Sequence, residues 1–233
     1  MTKLEKAYVI LVTLFCSVLI ITNLVGLKIF KAPFSSLALT TGIITYPITF
    51  ILSDVVTEIF GKKRANFMVY LGFFLSLMMF LIVQLMIALP PHEYWVEANN
   101  AFGYEKVSDY QNAYTSTFNV TSILIFASML AFMSGQLIDV YLFQKIKELT
   151  KGKHLWMRNN GSTMVSQLVD TLIVNSIVLF LGFKMPLIQG LELMGAMYIY
   201  KLALSALSTP VTYGLVYMLR EKSLNLNFYK SNI

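Results

Sequence analysis

The chain of 233 residues contains one cysteine and two histidines. Cys16 alone cannot close a disulfide within the chain, and His92 and His154 fall in polar connections, so no metal site and no redox cofactor is expected. Charge is also scarce. Only 13% of residues are charged while 57% are apolar, and the mean hydropathy of +0.67 is too high for a soluble domain of this length. A Gly-x-Ser-x-Gly elbow, a zinc-binding histidine pair and a phosphate-binding loop are all missing, which leaves an enzyme without a recognisable catalytic motif. The net charge of +6 does not signal nucleic acid. The lysines and arginines cluster in short connections between apolar runs, where they orient a chain in a lipid bilayer.

What the sequence has in abundance is apolar runs of membrane-spanning length. Six spans are expected: Ala7 to Ile29, Leu37 to Phe60, Asn66 to Leu89, Phe118 to Ile146, Ser162 to Phe183 and Leu187 to Leu219. The reading is an all-α, polytopic integral membrane protein, one six-helix transmembrane domain over residues 1–233. The first run is longer than the apolar core of a signal peptide and lacks a small-residue cleavage site, so it is expected to stay as a helix. With the N-terminus inside, the inner connections carry Lys3, Lys6, Lys62, Lys63, Arg64, Lys145, Lys147, Lys151, Lys153, Arg158, Arg220, Lys222 and Lys230. The outer ones carry Lys28, Lys31, Lys106 and Lys184. This bias predicts a cytoplasmic (inner) membrane protein with both termini cytoplasmic. The long outer connection, Pro90 to Thr117, holds Glu93, Glu97, Glu105 and Asp109 with Tyr94, Trp95, Phe102, Tyr104, Tyr110 and Tyr114. Such rings suit the headgroup interface as a flap, or the mouth of a site as a lid.

An ionisable group in the hydrocarbon layer costs about 2.5–3.5 kcal/mol on insertion scales, so each needs a partner, water or a task. The candidates are Asp54 and Glu58 in span two, Asp139 in span four, Asp170 in span five and Lys201 in span six. At about 1.5 Å of rise per residue, Asp54 and Asp139 lie roughly 10 Å and Asp170 roughly 13 Å from the inner ends of their spans. Three carboxylates are thus expected at one level, with Glu58 one turn lower at the inner interface and solvated. Asn23, Tyr46, Asn175, Lys201 and Ser205 fall at about 21–27 Å, which puts Lys201 too far above Asp170 for a direct ion pair. Gln136 and Asp139, then Gln167 and Asp170, repeat an amide and a carboxylate at i and i+3 on successive antiparallel helices. Their convergence on one cavity would suit a ligand rich in N–H donors. Pro47 and Pro210 interrupt spans two and six beside these groups and mark candidate gating kinks.

At these residues the sequence resembles a known family. The stretch from Ser53 through Asp54 and Glu58 to Lys63, the stretch from Gly135 through Gln136 and Asp139 to Phe143, and Arg158, Asn159, Ser162, Thr163, Ser166, Gln167, Asp170 and Thr171 are similar to the queuosine precursor transporter family, also called vitamin uptake transporters. Asn23 and Lys28 in span one and Lys201, Thr209, Pro210 and Tyr213 in span six extend the likeness over nearly the whole length. The resemblance implies import of 7-deazaguanines such as preQ0, preQ1 or queuine for salvage into tRNA. It also implies kinship with the six-helix substrate-binding subunits of energy-coupling-factor transporters. A flat 7-deazaguanine wants carboxylate and amide acceptors and an aromatic to stack on. Asn23, Tyr46, Asp54, Gln136, Asp139, Gln167, Asp170, Asn175 and Lys201 are the expected substrate-binding residues, with Phe50, Phe132 and Tyr198 as further stacking candidates. Asp139, Asp170, Glu58, Pro47 and Pro210 are expected in proton coupling or gating.

Four readings compete. A stand-alone secondary carrier uses an acid that changes protonation as the cavity alternates. A substrate-binding subunit of an ATP-driven importer commonly has an Ala-x-x-x-Ala docking pattern in its first helix, and span one has alanine only at Ala7. A membrane enzyme lacks its motifs, and a scaffold would tolerate loss of all three level aspartates. The expected partners are therefore a small-molecule substrate and the lipid bilayer, with no nucleic acid. Small-xxx-small spacing is sparse, so a homodimer is left open.

Overall fold

The computed structural model describes residues 1–25, 28–31, 38–97, 103–118, 122–182 and 184–230. The expected span ends Leu37 and Phe183, and the loop aromatic Phe102, lie outside them. The chain runs α1 (Lys3–Val25), β1 (Ile29–Lys31), β2 (Ala38–Thr40), α2 (Gly42–Phe60), α3 (Lys62–Ala88), α4 (Tyr94–Glu97), α5 (Val107–Phe118), α6 (Ser122–Leu149), α7 (Leu155–Asn175), a π-helical stretch (Ser176–Gly182) and α8 (Leu187–Lys230). Among the described residues four helices are long and apolar enough to cross a membrane: Lys3–Val25, Lys62–Ala88, Leu155–Leu181 and Leu187–Arg220.

The surface explains why lipid must be the solvent. Leu14, Phe67, Phe74, Leu81, Leu85, Leu168, Leu172, Ile199 and Leu207 are all exposed, whereas the buried residues of α7 are Arg158, Asn159, Ser162, Thr163, Ser166, Gln167, Asp170, Thr171 and Asn175. A helix that turns its polar stripe inward and its leucines outward is stable only where the surroundings are apolar.

Apolar packing is concentrated on α1, α2 and α3. Leu11, Phe15, Cys16, Leu19 and Thr22 are buried at spacings of three and four, so one face of α1 meets Val55, Val56, Met68 and Val69. Close approach of α1 and α3 depends on Gly72, whose added Cβ would stand 2.9 Å from Phe15 Cε1 and 3.0 Å from Leu19 Cδ2. Gly135, between α6 and α7, is less confined: an added Cβ would meet Asp170 Cβ at 3.4 Å, an ordinary van der Waals contact. In lipid such small residues let backbones close up without a hydrophobic driving force. Gly61, at φ +81°, takes a left-handed conformation that costs glycine little, so α2 passes to α3 in a single residue.

Several expected boundaries move. Span one ends at Val25 and span two begins at Gly42, because the intervening chain forms an antiparallel hairpin pairing Ile29 with Thr40 and Phe30 with Leu39. That pairing satisfies backbone groups between the two helix ends. The fifth helix begins at Leu155 rather than Ser162, and the sixth runs to Lys230 rather than Leu219. The outer connection contains α4 and α5, joined by ring contacts of Trp95 with Tyr110 and Tyr114 at centroid distances of 4.6 and 5.4 Å. Gln111 Nε2 donates to the carbonyl of Ile87 at 3.1 Å, which ties α5 to the end of α3.

Gly72→Leu is expected to cost at least about 1–3 kcal/mol by overpacking and to lower the thermal midpoint of the detergent-solubilised protein. Gly195→Leu, where a Cβ meets nothing within 4 Å, should shift it far less.

Candidate functional site

Between the helices lies a cavity of about 280 Å³, close to the roughly 300 Å³ lower end of small-molecule sites. Helix α1 contributes Thr22 and Asn23, α2 contributes Tyr46, Pro47, Phe50 and Asp54, and α3 contributes Ser76 and Phe80. Helix α7 supplies Asn159, Thr163, Gln167, Asp170 and Asn175, and α8 supplies Lys201, Ser205 and Ser208. Thr117 and Phe118 at the end of α5 also reach it, so the aromatic connection between α3 and α6 touches the cavity. The π-helical stretch starts directly after Asn175, and such i→i+5 widenings are frequent where a helix lines a site.

The wall carries unmet acceptors. Asp54 Oδ1, Asn159 Oδ1, Thr163 Oγ1 and Gln167 Oε1 have no hydrogen-bond partner among the described residues, and all four side chains belong to residues no more than 6% exposed. A buried acceptor without a donor is unfavourable by about 1–3 kcal/mol, so this wall favours a guest presenting N–H groups. Tyr46 and Phe50, with ring centroids 6.2 Å apart, add an aromatic surface suited to a flat ring.

The acids are handled in three different ways. Lys201 Nζ stands 2.6 Å from Asp170 Oδ2 and also donates to Thr171 Oγ1 at 3.3 Å, which corrects the expectation that the two were too far apart. The error lay in where the fifth helix begins. Counted from Leu155, Asp170 sits about 22 Å along α7, and Lys201 sits about 28 Å from Arg220 along α8, a gap that a lysine side chain bridges. The single level of three carboxylates is corrected accordingly: Asp54 and Asp139 interact with each other, while Asp170 belongs with Lys201. Asp139 also accepts from Ser166 Oγ at 3.0 Å, a contact permitted by the α6–α7 packing at Gly135.

Glu58 is not solvated. It is 5% exposed and held by a forked pair from Arg158, Nε to Oε2 at 3.0 Å and Nη2 to Oε1 at 2.9 Å. Lys147 Nζ lies 3.1 Å from Oε2 and donates to the Glu58 carbonyl at 2.8 Å, and Arg220 closes on Oε1. Arg158 Nη1 also donates to the carbonyls of Gly152 and Lys153, so the α6–α7 connection is pinned to the same point. Arg158, expected among the inner charges and among the residues of the family resemblance, is 1% exposed, and its burial was not foreseen. Continuing the polar ladder of α7 backwards in steps of four, from Asp170 to Ser166, Ser162 and Arg158, would have found it.

Of the expected binding residues, Asn23, Tyr46, Asp54, Gln167, Asp170, Asn175 and Lys201 line the cavity. Gln136 and Asp139 are fully buried and stand outside the lining. Pro47 is in the wall, and Pro210 is on an exposed part of α8. Phe50 lines the cavity, whereas Phe132 packs in the apolar core against Phe15, and Tyr198 donates to the carbonyl of Met164.

A family profile described as "Putative vitamin uptake transporter" matches residues 40–215. The chain belongs to that family. The matched segment includes every cavity residue outside α1. The chain is 31% identical over 178 residues to a "Probable queuosine precursor transporter" of Bacillus subtilis (strain 168), covering 76% of this chain and 71% of the relative. A second protein of that name, from Haemophilus influenzae, is 23% identical over 178 residues, 76% of this chain and 68% of its own length. No solved structure matches the chain. The transporter is therefore a multi-pass, helical membrane protein whose family-matched segment holds the cavity residues of α2 to α8 and Glu58 with Lys147 and Arg158.

Glu58→Gln in this transporter leaves Arg158 buried without its anion and is expected to cost about 3–5 kcal/mol. It should be read as a lower thermal midpoint in detergent, and Glu58→Gln combined with Arg158→Met should recover much of the loss.

Proposed function

We propose that this transporter imports queuosine precursors, 7-deazaguanines such as preQ0, preQ1 or queuine, across the cytoplasmic membrane for salvage into tRNA. It does so as a single six-helix unit, with α2 and α6 added to the four apolar helices and both termini in the cytoplasm. The observation that carries this reading is the set of unmet acceptors on the cavity wall, Asp54 Oδ1, Asn159 Oδ1, Thr163 Oγ1 and Gln167 Oε1. The pyrimidine edge of a 7-deazaguanine presents a ring N–H and an exocyclic amine, the pyrrole side presents another N–H, and these donors match acceptors of that kind. Its flat face fits against Tyr46 and Phe50. The names of the two relatives support the same substrate class.

In this reading the Glu58 cluster closes the cavity on its cytoplasmic side. Glu58 lies one turn beyond Asp54 on α2, toward the end where Lys62, Lys63 and Arg64 begin α3. Parting of Arg220 and Lys147 from Glu58, helped by the kink positions Pro47 and Pro210, opens a path inward. Asn23, Asn175 and the Lys201–Asp170 pair frame the outer part.

The purified protein is expected to bind preQ0, preQ1 or queuine, and a strain lacking both precursor synthesis and uptake should regain queuosine in its tRNA when it expresses the protein and is fed that precursor. Asn159→Leu and Gln167→Leu should each remove about 1 kcal/mol of hydrogen bonding, roughly fivefold in affinity. Folded protein that binds none of the three, with tRNA still lacking queuosine, would end this assignment.

A further inference from the structure

Every buried acid in the helical interior except two has a basic partner among the described residues. Glu58 has Lys147, Arg158 and Arg220, and Asp170 has Lys201. Asp54 and Asp139 have each other. Both are almost completely buried, at 2% and 0% exposure, and Asp54 Oδ1 and Asp139 Oδ2 meet no donor. Two ionised carboxylates cannot rest in contact away from water without a cation between them. One carboxyl carrying a proton removes the repulsion and supplies the donor that the pair lacks.

The placement gives that proton a route. Asp54 is part of the cavity wall, and Asp139 sits behind it on α6. Ser166 donates to Asp139 Oδ1 at 3.0 Å. Asp139 is thus anchored to α7, whereas Asp54 opens on the cavity beside the unmet oxygens of Asn159 and Gln167, which places the exchangeable proton on the Asp54 side. The other charged or titratable groups around the pair are already committed or distant from its contact. On α2, Glu58 is neutralised by its three cations and Tyr46 faces Asp170. On α7 and α8, Asp170 and Lys201 pair with each other, Arg158 is spent on Glu58, and on α6 Lys147 is as well. On α3, Lys62 and Arg64 lie over the rings of Tyr141 and Tyr8, and on α1 Cys16 is buried in the apolar core.

We propose that the Asp54–Asp139 carboxyl pair is the proton-binding site that couples transport to the proton gradient, Asp54 exchanging the proton with the cavity and Asp139 serving as its fixed partner. This rests on the transport reading above and moves the coupling role away from Asp170 and Glu58, each of which already faces a basic partner. The protein gains one proton at the pair when the cavity faces outward and loses it when the cavity faces inward. No other group changes its charge.

Two measurements test this. In the first, proteoliposomes without sodium, and with the membrane potential clamped at zero, take up a 7-deazaguanine under an imposed pH gradient. One proton per substrate supports about tenfold accumulation per pH unit. Asp54→Asn and Asp139→Asn should each abolish that dependence. Accumulation driven by sodium instead, or a pH dependence that survives in both variants, would overturn the proposal. In the second, infrared spectra of substrate-free protein at neutral pH should show a protonated-carboxyl C=O band that shifts in deuterated water. The band should disappear in both Asn variants and move in frequency in Asp54→Glu and Asp139→Glu. This arm needs no substrate, so it still decides the matter if 7-deazaguanines are not the cargo or if an Asn variant fails to fold. Wild-type spectra containing no such band would refute the proton site by themselves.

Discussion

One buried carboxylate sets the height of four helices. Glu58, at the end of α2, receives Arg158 from α7, Lys147 from α6 and Arg220 from α8. A charge moved out of water is costly unless its partners are fixed and its remaining hydrogen bonds are met. Here they are met in both directions, since Arg158 also saturates two carbonyls of the α6–α7 connection. Four helices are thereby pinned at one end of the bundle. Registers further along then follow from helical rise, and they deliver Asp54 to Asp139 and Lys201 to Asp170.

The rest of the architecture follows from an apolar solvent. Backbone groups must be satisfied within helices, so polar side chains have nowhere to go but inward, and α7 presents an almost wholly polar buried face. Such helices gain little by burying leucine against leucine, because lipid is equally apolar. Glycine contacts at Gly72 and Gly135 and hydrogen bonds such as Ser166 to Asp139 hold them instead. A cavity between polar faces is the natural consequence, and its chemistry is inherited from whichever groups the packing leaves unmet.

The interior acids show a graded use of charge. Glu58, with three cations, is the most firmly held and serves as a clamp. Asp170, with one lysine that is itself 22% exposed in its side chain, is fixed but reachable from the cavity. Asp54 and Asp139 have only each other, which makes their interaction depend on a proton rather than on another residue. All four are carboxylates, distinguished by the number of their basic neighbours.

Much of this was legible in the residues alone. Long apolar runs fix helices in a bilayer whatever packs on them, and the Gln-x-x-Asp spacing places an amide and an acid on one face by helical geometry. The hairpin at Ile29–Lys31, the true start of α7 at Leu155 and the burial of Arg158 were not, because polar residues at a helix end read equally well as solvated loop. Seven residues of error at that start misplaced Asp170 by about 10 Å and hid its pairing with Lys201. The sequence determined that Asp54, Asp139 and Asp170 would sit inside membrane-length helices, since that depends only on the apolar runs around them and the solvent. Only the tertiary structure decided which acid met which base, because that depends on the relative heights and rotations of helices, and a shift of one turn, about 5.4 Å, is enough to exchange partners.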